Sequence, residues 1–290
     1  MGTIPRATRG RFFLNLDGAA CGFLKSVEGG GIRAGVISEP SGPGEVAKKH
    51  IGPPQCEELA AELGFALPKP VVEWIRASWR FESPRKDGSV VALDPLGVAR
   101  SERQFSQALL TEVTFPKLDG SSKDAAYLRI KFAPESIRSV KAGAKAPSAQ
   151  PAGKFALASN FRLELDGVDC SKVSAIDSFT VKQTLATADV GERRGPRREP
   201  GALEFPNLRI TLAESGAQTW IDWFEDFVVK GNNDDSREKK GSIVLLAPDL
   251  TELARVSLRN VGIFALSPAP AMGDQIARVA AELYCEQMEL

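Results

Sequence analysis

The sequence predicts a mainly β chain (α+β), built from two tandem domains, each a β-sandwich or small barrel with one flanking helix. Three observations predict it. A segment near the start returns in the second half. Apolar residues alternate with period two through most of the ordered-looking segments. One tryptophan-bearing stripe of helical period occurs in each half.

The repeat comes first because it organises the rest. FFLNLDGAAC (from Phe12) and FRLELDGVDC (from Phe161) share Phe, Leu, Leu, Asp, Gly and Cys at matched places. Later stretches answer one another in the same order. PKPVVEWIRASWRF (from Pro68) matches AQTWIDWFEDFV (from Ala217), and GSVVALDP (from Gly88) matches GSIVLLAP (from Gly241). FSQALLTEVTFPKLDG (from Phe105) then matches VSLRNVGIFALSPAP (from Val256), and DAAYLRIKFAPE (from Asp124) matches IARVAAELYCEQ (from Ile276). We expect a first domain over 1–140, a linker over 141–158 and a second domain over 159–290. The linker is rich in Ala, Gly, Pro, Ser and Lys, the composition of an exposed, extended connection. It is long enough that the two domains need not touch.

Each domain opens on a strand. Phe161, Leu163 and Leu165 share one face, Arg162 and Glu164 the other. Asp166–Gly167, and Asp17–Gly18 before it, supply a turn in which Gly takes positive φ. A long segment follows: GEVAKKHIGPPQCEELAAEL (from Gly44) in the first domain, TADVGERRGPRREPGALEF (from Thr187) in the second. Both read as loops broken by Gly and Pro. NLRITLAE (from Asn207) alternates as a second strand, whereas its first-domain equivalent is hard to find. Trp220, Trp223, Phe224, Phe227 and Val228 then make a broad helical stripe, with Ser215 and Gln218 at capping-box spacing. Val71, Trp74, Ile75, Ser78 and Trp79 make the other stripe, opened by Pro70. Closing strands place Val279, Ala281, Leu283 and Cys285 opposite Arg278, Glu282 and Glu286. Leu128, Ile130 and Phe132 likewise oppose Tyr127, Arg129 and Lys131. The order within a domain is thus strand, long loop, strand, helix and three strands, unlike the alternation of a doubly wound fold.

Composition narrows the function. The 290 residues carry 37 basic and 37 acidic side chains, so a protein that coats nucleic acid, which needs a basic excess, is disfavoured. No apolar run is long enough to cross a membrane, and the first residues lack the apolar core of a signal peptide. Cys21, Cys56, Cys170 and Cys285 form no CxxC pair and read as reduced thiols of a cytosolic product. His50 is the one histidine, so any Ser–His or Cys–His mechanism would run through it; its setting, KKHIGPPQC, reads as surface. Gly29–Gly30–Gly31 lacks the Lys–Ser/Thr of a phosphate loop. Asn232 to Asp235 lacks the spacing and closing Glu of a calcium loop and reads as a turn. No cluster of titratable groups argues for an enzyme, and no cofactor or metal site is expected. The basic loops stay open to three readings: a solvated loop, a phosphate contact, or an arm that touches another protein.

Four second-domain segments, FRLELDG, REPGALEFPNLRITLAESG, WIDWFEDF and GSIVLLA, carry a resemblance to the tail tube proteins of contractile phages and related contractile injection systems. It covers nearly all of the second domain and, more loosely, the first. The resemblance implies a β-sandwich or barrel beside a helix, six units closing into a ring by edge pairing, and rings stacked into a tube. It implies that the basic loop is an arm reaching a neighbouring ring. Lys48, Lys49 and His50 in the first domain, and Arg193, Arg194, Arg197 and Arg198 in the second, are then the assembly residues. The departure is the fusion of two units: three such chains supply six, so the expectation is a homotrimer with pseudo-sixfold symmetry. Expected partners are the chain itself, in a ring that can stack, and tail tube, sheath or baseplate hub proteins, with no specific nucleic acid and no membrane in the free state. Its place would be tube, tube initiator or hub adaptor, assembled in the cytoplasm and carried in a phage tail or injection particle. A tandem β-domain module that binds ligand or carbohydrate without catalysis is the alternative.

Overall fold

The computed structural model describes residues 11–39, 46–141, 156–188, 197–269 and 277–290. The chain is mainly β, as the alternating patterns predict. In chain order the first elements are β1 (Arg11–Leu16), β2 (Ala19–Leu24), β3 (Ser26–Gly29), β4 (Ile32–Glu39), β5 (Lys48–Cys56), β6 (Leu59–Gly64), α1 (Lys69–Trp79), β7 (Lys86–Leu93), β8 (Ala99–Phe115), β9 (Leu118–Asp119), β10 (Ala125–Ala133) and β11 (Ser136–Val140). They are followed by β12 (Ala156–Leu157), β13 (Phe161–Leu165), β14 (Val173–Ile176), β15 (Phe179–Ala188), β16 (Arg197–Glu204), β17 (Leu208–Ala213), α2 (Gln218–Phe224), β18 (Lys239–Leu246), β19 (Glu252–Pro268) and β20 (Arg278–Glu289).

Two sheets carry the same strand order. One runs β2-β1-β7-β8-β10-β6-β3, the other β13-β18-β19-β20-β17-β14-β9. With β2 and β9 set aside, each position of one has a counterpart at the same position of the other. Registers agree residue by residue. Ala61 pairs Ile130, and their counterparts in the second half, Ile210 and Ala281, pair in turn. β8 and β19 are both 17 residues long. Each is bulged at a left-handed residue, Gln107 (φ 53) and Asn260 (φ 52), and both stand at the ninth position of their strand. Bulges aim and bend strands, so a shared bulge fixes a shared curvature.

The turns follow their chemistry. Asp17 (φ 48) and Gly18 (φ 78) close the β1–β2 hairpin in the left-handed conformations of a type I′ turn. In the second half the same hairpin shrinks to one bridge, Leu165 to Val168, around Gly167. The four tryptophans are core. Trp74 and Trp220 are fully buried, and their ring nitrogens donate to Pro84 O (3.0 Å) and Asp169 O (2.9 Å). A single apolar cluster runs through both halves; Phe13, Val91, Leu93 and Ala99 form a second, small one.

Five expectations need correction. The stretches expected as long loops are largely strand where described: β5 and most of β6 lie in the first, the end of β15 and all of β16 in the second. The missing second strand of the first half is β6, whose burial is nearly continuous rather than alternating. The capping box does not form; Ala217 caps α2, and Gln218 instead donates to Asp222. The chain then widens into a π-helical turn, Glu225–Val229, which rotates Val228 off the buried stripe to 39% exposure. Within the stretch expected as linker, Ala156 and Ala158 are buried, and β12 pairs β10.

Candidate assembly interface

The two halves do touch, and the manner of contact defines the site. β14, from the second half, pairs β9, from the first, at Ala175–Asp119 and Ile176–Leu118. Immediately afterwards β15 lays onto β8, pairing Phe179, Thr180, Val181 and Lys182 with Phe115, Thr114, Val113 and Glu112. β16 folds back on β15, so the β15–β16 hairpin extends the first half's sheet.

Side chains lock this ladder. The Phe115 and Phe179 rings stack at 4.7 Å and 7°, and the Thr114 and Thr180 hydroxyls share a hydrogen bond of 2.9 Å. Ser178 Oγ donates to Phe115 O (2.8 Å), and Gln183 Nε2 donates to Ser83 Oγ (2.7 Å). Val113 and Val181 are both buried between the strands.

Beside the ladder sits a charge cluster. Arg85, its side chain only 15% exposed, reaches Glu135 Oε1 (2.5 Å) and Glu199 Oε2 (3.2 Å) and also donates to Arg198 O. Arg197 lies 2.7 Å from Glu199 and 4.0 Å from Glu135. Arg198 donates to Cys56 O (2.6 Å) and Pro134 O (3.4 Å). Three positive and two negative side chains thus meet with backbone acceptors at the seam. Arg85 and Glu135, the more shielded members, interact more strongly than an exposed ion pair, whereas Arg197 and Glu199 remain largely in water.

The first-half hairpin, β4–β5, is built the same way but stands apart. Its strands pair only each other among the described residues. Ile51 is 82%, Val36 66% and Ile32 56% exposed. His50 stands 3.4 Å from Glu39 on this hairpin, with Lys48 and Lys49 exposed beside it. The hairpin's root is Gly29–Gly30–Gly31. Gly29 (φ 74) has Glu58 O within 2.0 Å of where a Cβ would lie, so no side chain fits there.

Of the residues expected on the basic arms, the structure brings Arg197 and Arg198 together at the seam and places Lys48, Lys49 and His50 on the free hairpin; Arg193 and Arg194 lie outside the described residues. Sequence reasoning missed Arg85, Glu135, Phe115 and Phe179. Arg85 stands just before the GSVVALDP match, where the second half has Glu238, a difference that aligning the halves exposes.

The other chemistry is sparse. Among the described residues no group of three or more His, Cys, Asp or Glu could hold a metal ion, and no helix is long and apolar enough to cross a membrane. The four cysteines are free, and burial pushes the Cys21 and Cys285 thiols up to about 11.

No family model matches the chain, and no curated protein matches it. Among solved structures it is similar to a chain of the anti-feeding prophage baseplate, seen by cryo-EM with 6-fold symmetrisation. That likeness has 15% identity, spans 49% of this chain and 98% of that one, and has a TM-score of 0.39. A chain of the sheath–tube complex of an extracellular contractile injection system, PVC, in its extended state is 22% identical over 48% and 92% of the two chains (TM-score 0.40). A chain of the cap that terminates the anti-feeding prophage tube is 23% identical over 49% and 93% (TM-score 0.41).

Proposed function

We propose that this chain is a structural, non-catalytic ring component of a phage-tail-like contractile particle, a tandem duplication in which 1–140 and 159–290 are the two units. One observation carries the reading: β15 of the second half pairs in register with β8 of the first, so a single polypeptide already joins two units of equal topology edge to edge. Units that join this way and leave a further hairpin unpaired continue the pattern, and a closed ring is the form that leaves no edge open.

Three chains supply six units, so the ring is a homotrimer with pseudo-sixfold symmetry. The residue resemblance to tail tube proteins supports a position in the tube, at its start, or where a sixfold tube meets a threefold hub. Its neighbours are then tube, sheath or baseplate hub proteins. Native mass spectrometry with negative-stain imaging of one sample tests the reading. A mass of three chains and a ring with a central opening are expected; single chains at all concentrations, or a mass that is not a multiple of three, would overturn it.

A further inference from the structure

The seam within the chain is a template for a seam between chains. The halves correspond in three blocks, each without a slip inside it. From β1 through α1 the match runs as Phe12 to Phe161 and Ala61 to Ile210. Across β7 and β8 it runs as Gly88 to Gly241 and Gln107 to Asn260, and across β10 and β11 as Ile130 to Ala281. Hairpin β4–β5 therefore corresponds to β15–β16, down to the ladder slip at Ala34/Val36 and at Gln183/Leu185. The edge of β8 that receives β15, Glu112 to Phe115, corresponds to Ala265 through Pro268 of β19. There β20 pairs one side of the strand, and no strand pairs the other among the described residues. Phe264 beside it is 41% exposed, whereas its counterpart Thr111 is buried.

We infer that hairpin β4–β5 of one chain docks on the free edge of β19 in a second copy, with Lys48, Lys49 and His50 against Glu238 and Glu286. This rests on the ring reading and names its contact. Charge carries the argument. At the internal seam the receiving half offers Arg85 and Glu135, and the hairpin offers Arg197, Arg198 and Glu199. At the corresponding positions the receiving half has Glu238 and Glu286, while the hairpin has Lys48, Lys49 and His50. Arg85 has become Glu238 on one surface and Glu199 has become His50 on the other. The reversal is compensated: a balanced acceptor has turned doubly negative and its hairpin wholly basic. Two surfaces with no contact in the folded chain have no reason to change in step.

Glu238 adds an independent observation. Its Oε1 accepts from Tyr284 Oη (2.7 Å), while its Oε2 is buried and has no hydrogen-bond partner. Burial, with the Glu238 carboxylate next, pushes the Tyr284 hydroxyl well above the ordinary phenol range. A buried carboxylate oxygen without a donor is costly, and a basic side chain docked close to Glu238 would offset that cost through its charge. The apolar register also carries over: Ile32 meets Leu266 where Val181 meets Val113. The Phe179–Phe115 stack does not, because Gly30 and Pro268 stand there, so this contact leans on its ladder, the Ile32–Leu266 pair and charge.

The full-length chain tests this. In a Cys56→Ser background, needed because Cys56 pairs Ile32 across β4–β5, Ile32→Cys and Leu266→Cys together should give covalent chain multiples on mild oxidation that neither single variant gives. Lys48→Glu/Lys49→Glu changes only exposed hairpin positions and should weaken assembly on the order of a hundredfold, given what like charges cost across an interface. Adding Glu238→Lys/Glu286→Lys should restore it. Rings that tolerate Lys48→Glu/Lys49→Glu and give no cross-linked multiples would overturn this contact while leaving the ring intact. Wild-type chains that never assemble would remove the ring itself.

Discussion

Phe179→Ala tests whether the seam makes the two halves one cooperative unit. Phe179 is 3% exposed, and its ring stacks on the fully buried Phe115 at the point where β15 meets β8. Truncating a core Phe costs about 3–5 kcal/mol through lost burial and the cavity left behind, of which about 1 kcal/mol comes from the aromatic pair. For a chain unfolding as one unit that converts to a fall in Tm of roughly 6–20 °C. The lost contacts lie between halves, so calorimetry should also show the single transition splitting, with the calorimetric enthalpy exceeding the van't Hoff value. Phe13→Ala is the control. Phe13 is equally buried, but it packs with Phe23, Val91 and Leu93 inside the first half. It should lower stability by a similar amount without that splitting. A Phe179→Ala protein melting in one transition within about 2 °C of wild type would refute the reasoning.

Arg85→Ala removes the more buried of the two guanidinium groups that Glu135 and Glu199 share, leaving Arg197, and should destabilise by about 2 kcal/mol, less than a fully buried pair because both carboxylates retain some water and a second cation; urea unfolding measures it. Gly88→Ala and Gly241→Ala put a Cβ 2.3 Å from Asn15 O and 2.2 Å from Glu164 O, backbone atoms that cannot step aside, so each should cost at least about 1–3 kcal/mol by the same assay. Glu164 accepts from Ser242 Oγ (2.7 Å) and Arg255 Nη1 (2.8 Å), which hold its carboxyl down at about 2. A depressed carboxyl contributes stability that is full above its unfolded value of about 4.3 and lost as pH falls toward 2. Glu164→Gln should therefore flatten the fall in stability between pH 5 and 2, measured by acid titration with circular dichroism.

What was legible followed from local rules. The Phe12 and Phe161 strands, the Asp–Gly turns, the two tryptophan helices and the closing strands all announce themselves by period or turn chemistry within a few residues. The hairpins did not, because β5 carries Pro53 and Pro54 and β16 carries Pro200 and Gly201, residues that signal loops. They are tolerated here because, among the described residues, β5 pairs only β4 and β16 only β15, which leaves an edge free for a residue without an N–H. β6 was hidden by Leu59–Ala60–Ala61, buried in succession and so without alternation. Hardest to read was the seam. Phe179 and Phe115 belong to different halves, and Arg85 and Glu199 lie farther apart still, so no short window holds both partners.

The proposed tandem arrangement gives a physical reason for the two hairpins to differ. The covalent connection places β15–β16 beside β8, so that contact is intramolecular at a high effective concentration and uses a large aromatic stack and a half-buried charge cluster. A hairpin that must find another chain is selected differently. It must stay soluble while unpaired and reject the wrong edge. Lys48, Lys49 and His50 serve both needs. They keep an edge that exposes Ile32, Val36 and Ile51 from pairing with its own kind, since like charges would meet. They also oppose Arg85, so a first-half hairpin is repelled from a first-half acceptor whose edge β15 already fills. Only a second-half edge, bearing Glu238 and Glu286, is left. On the proposed docking, every contact between chains would be head to tail, the kind of interface from which identical subunits build a ring when the rotation closes.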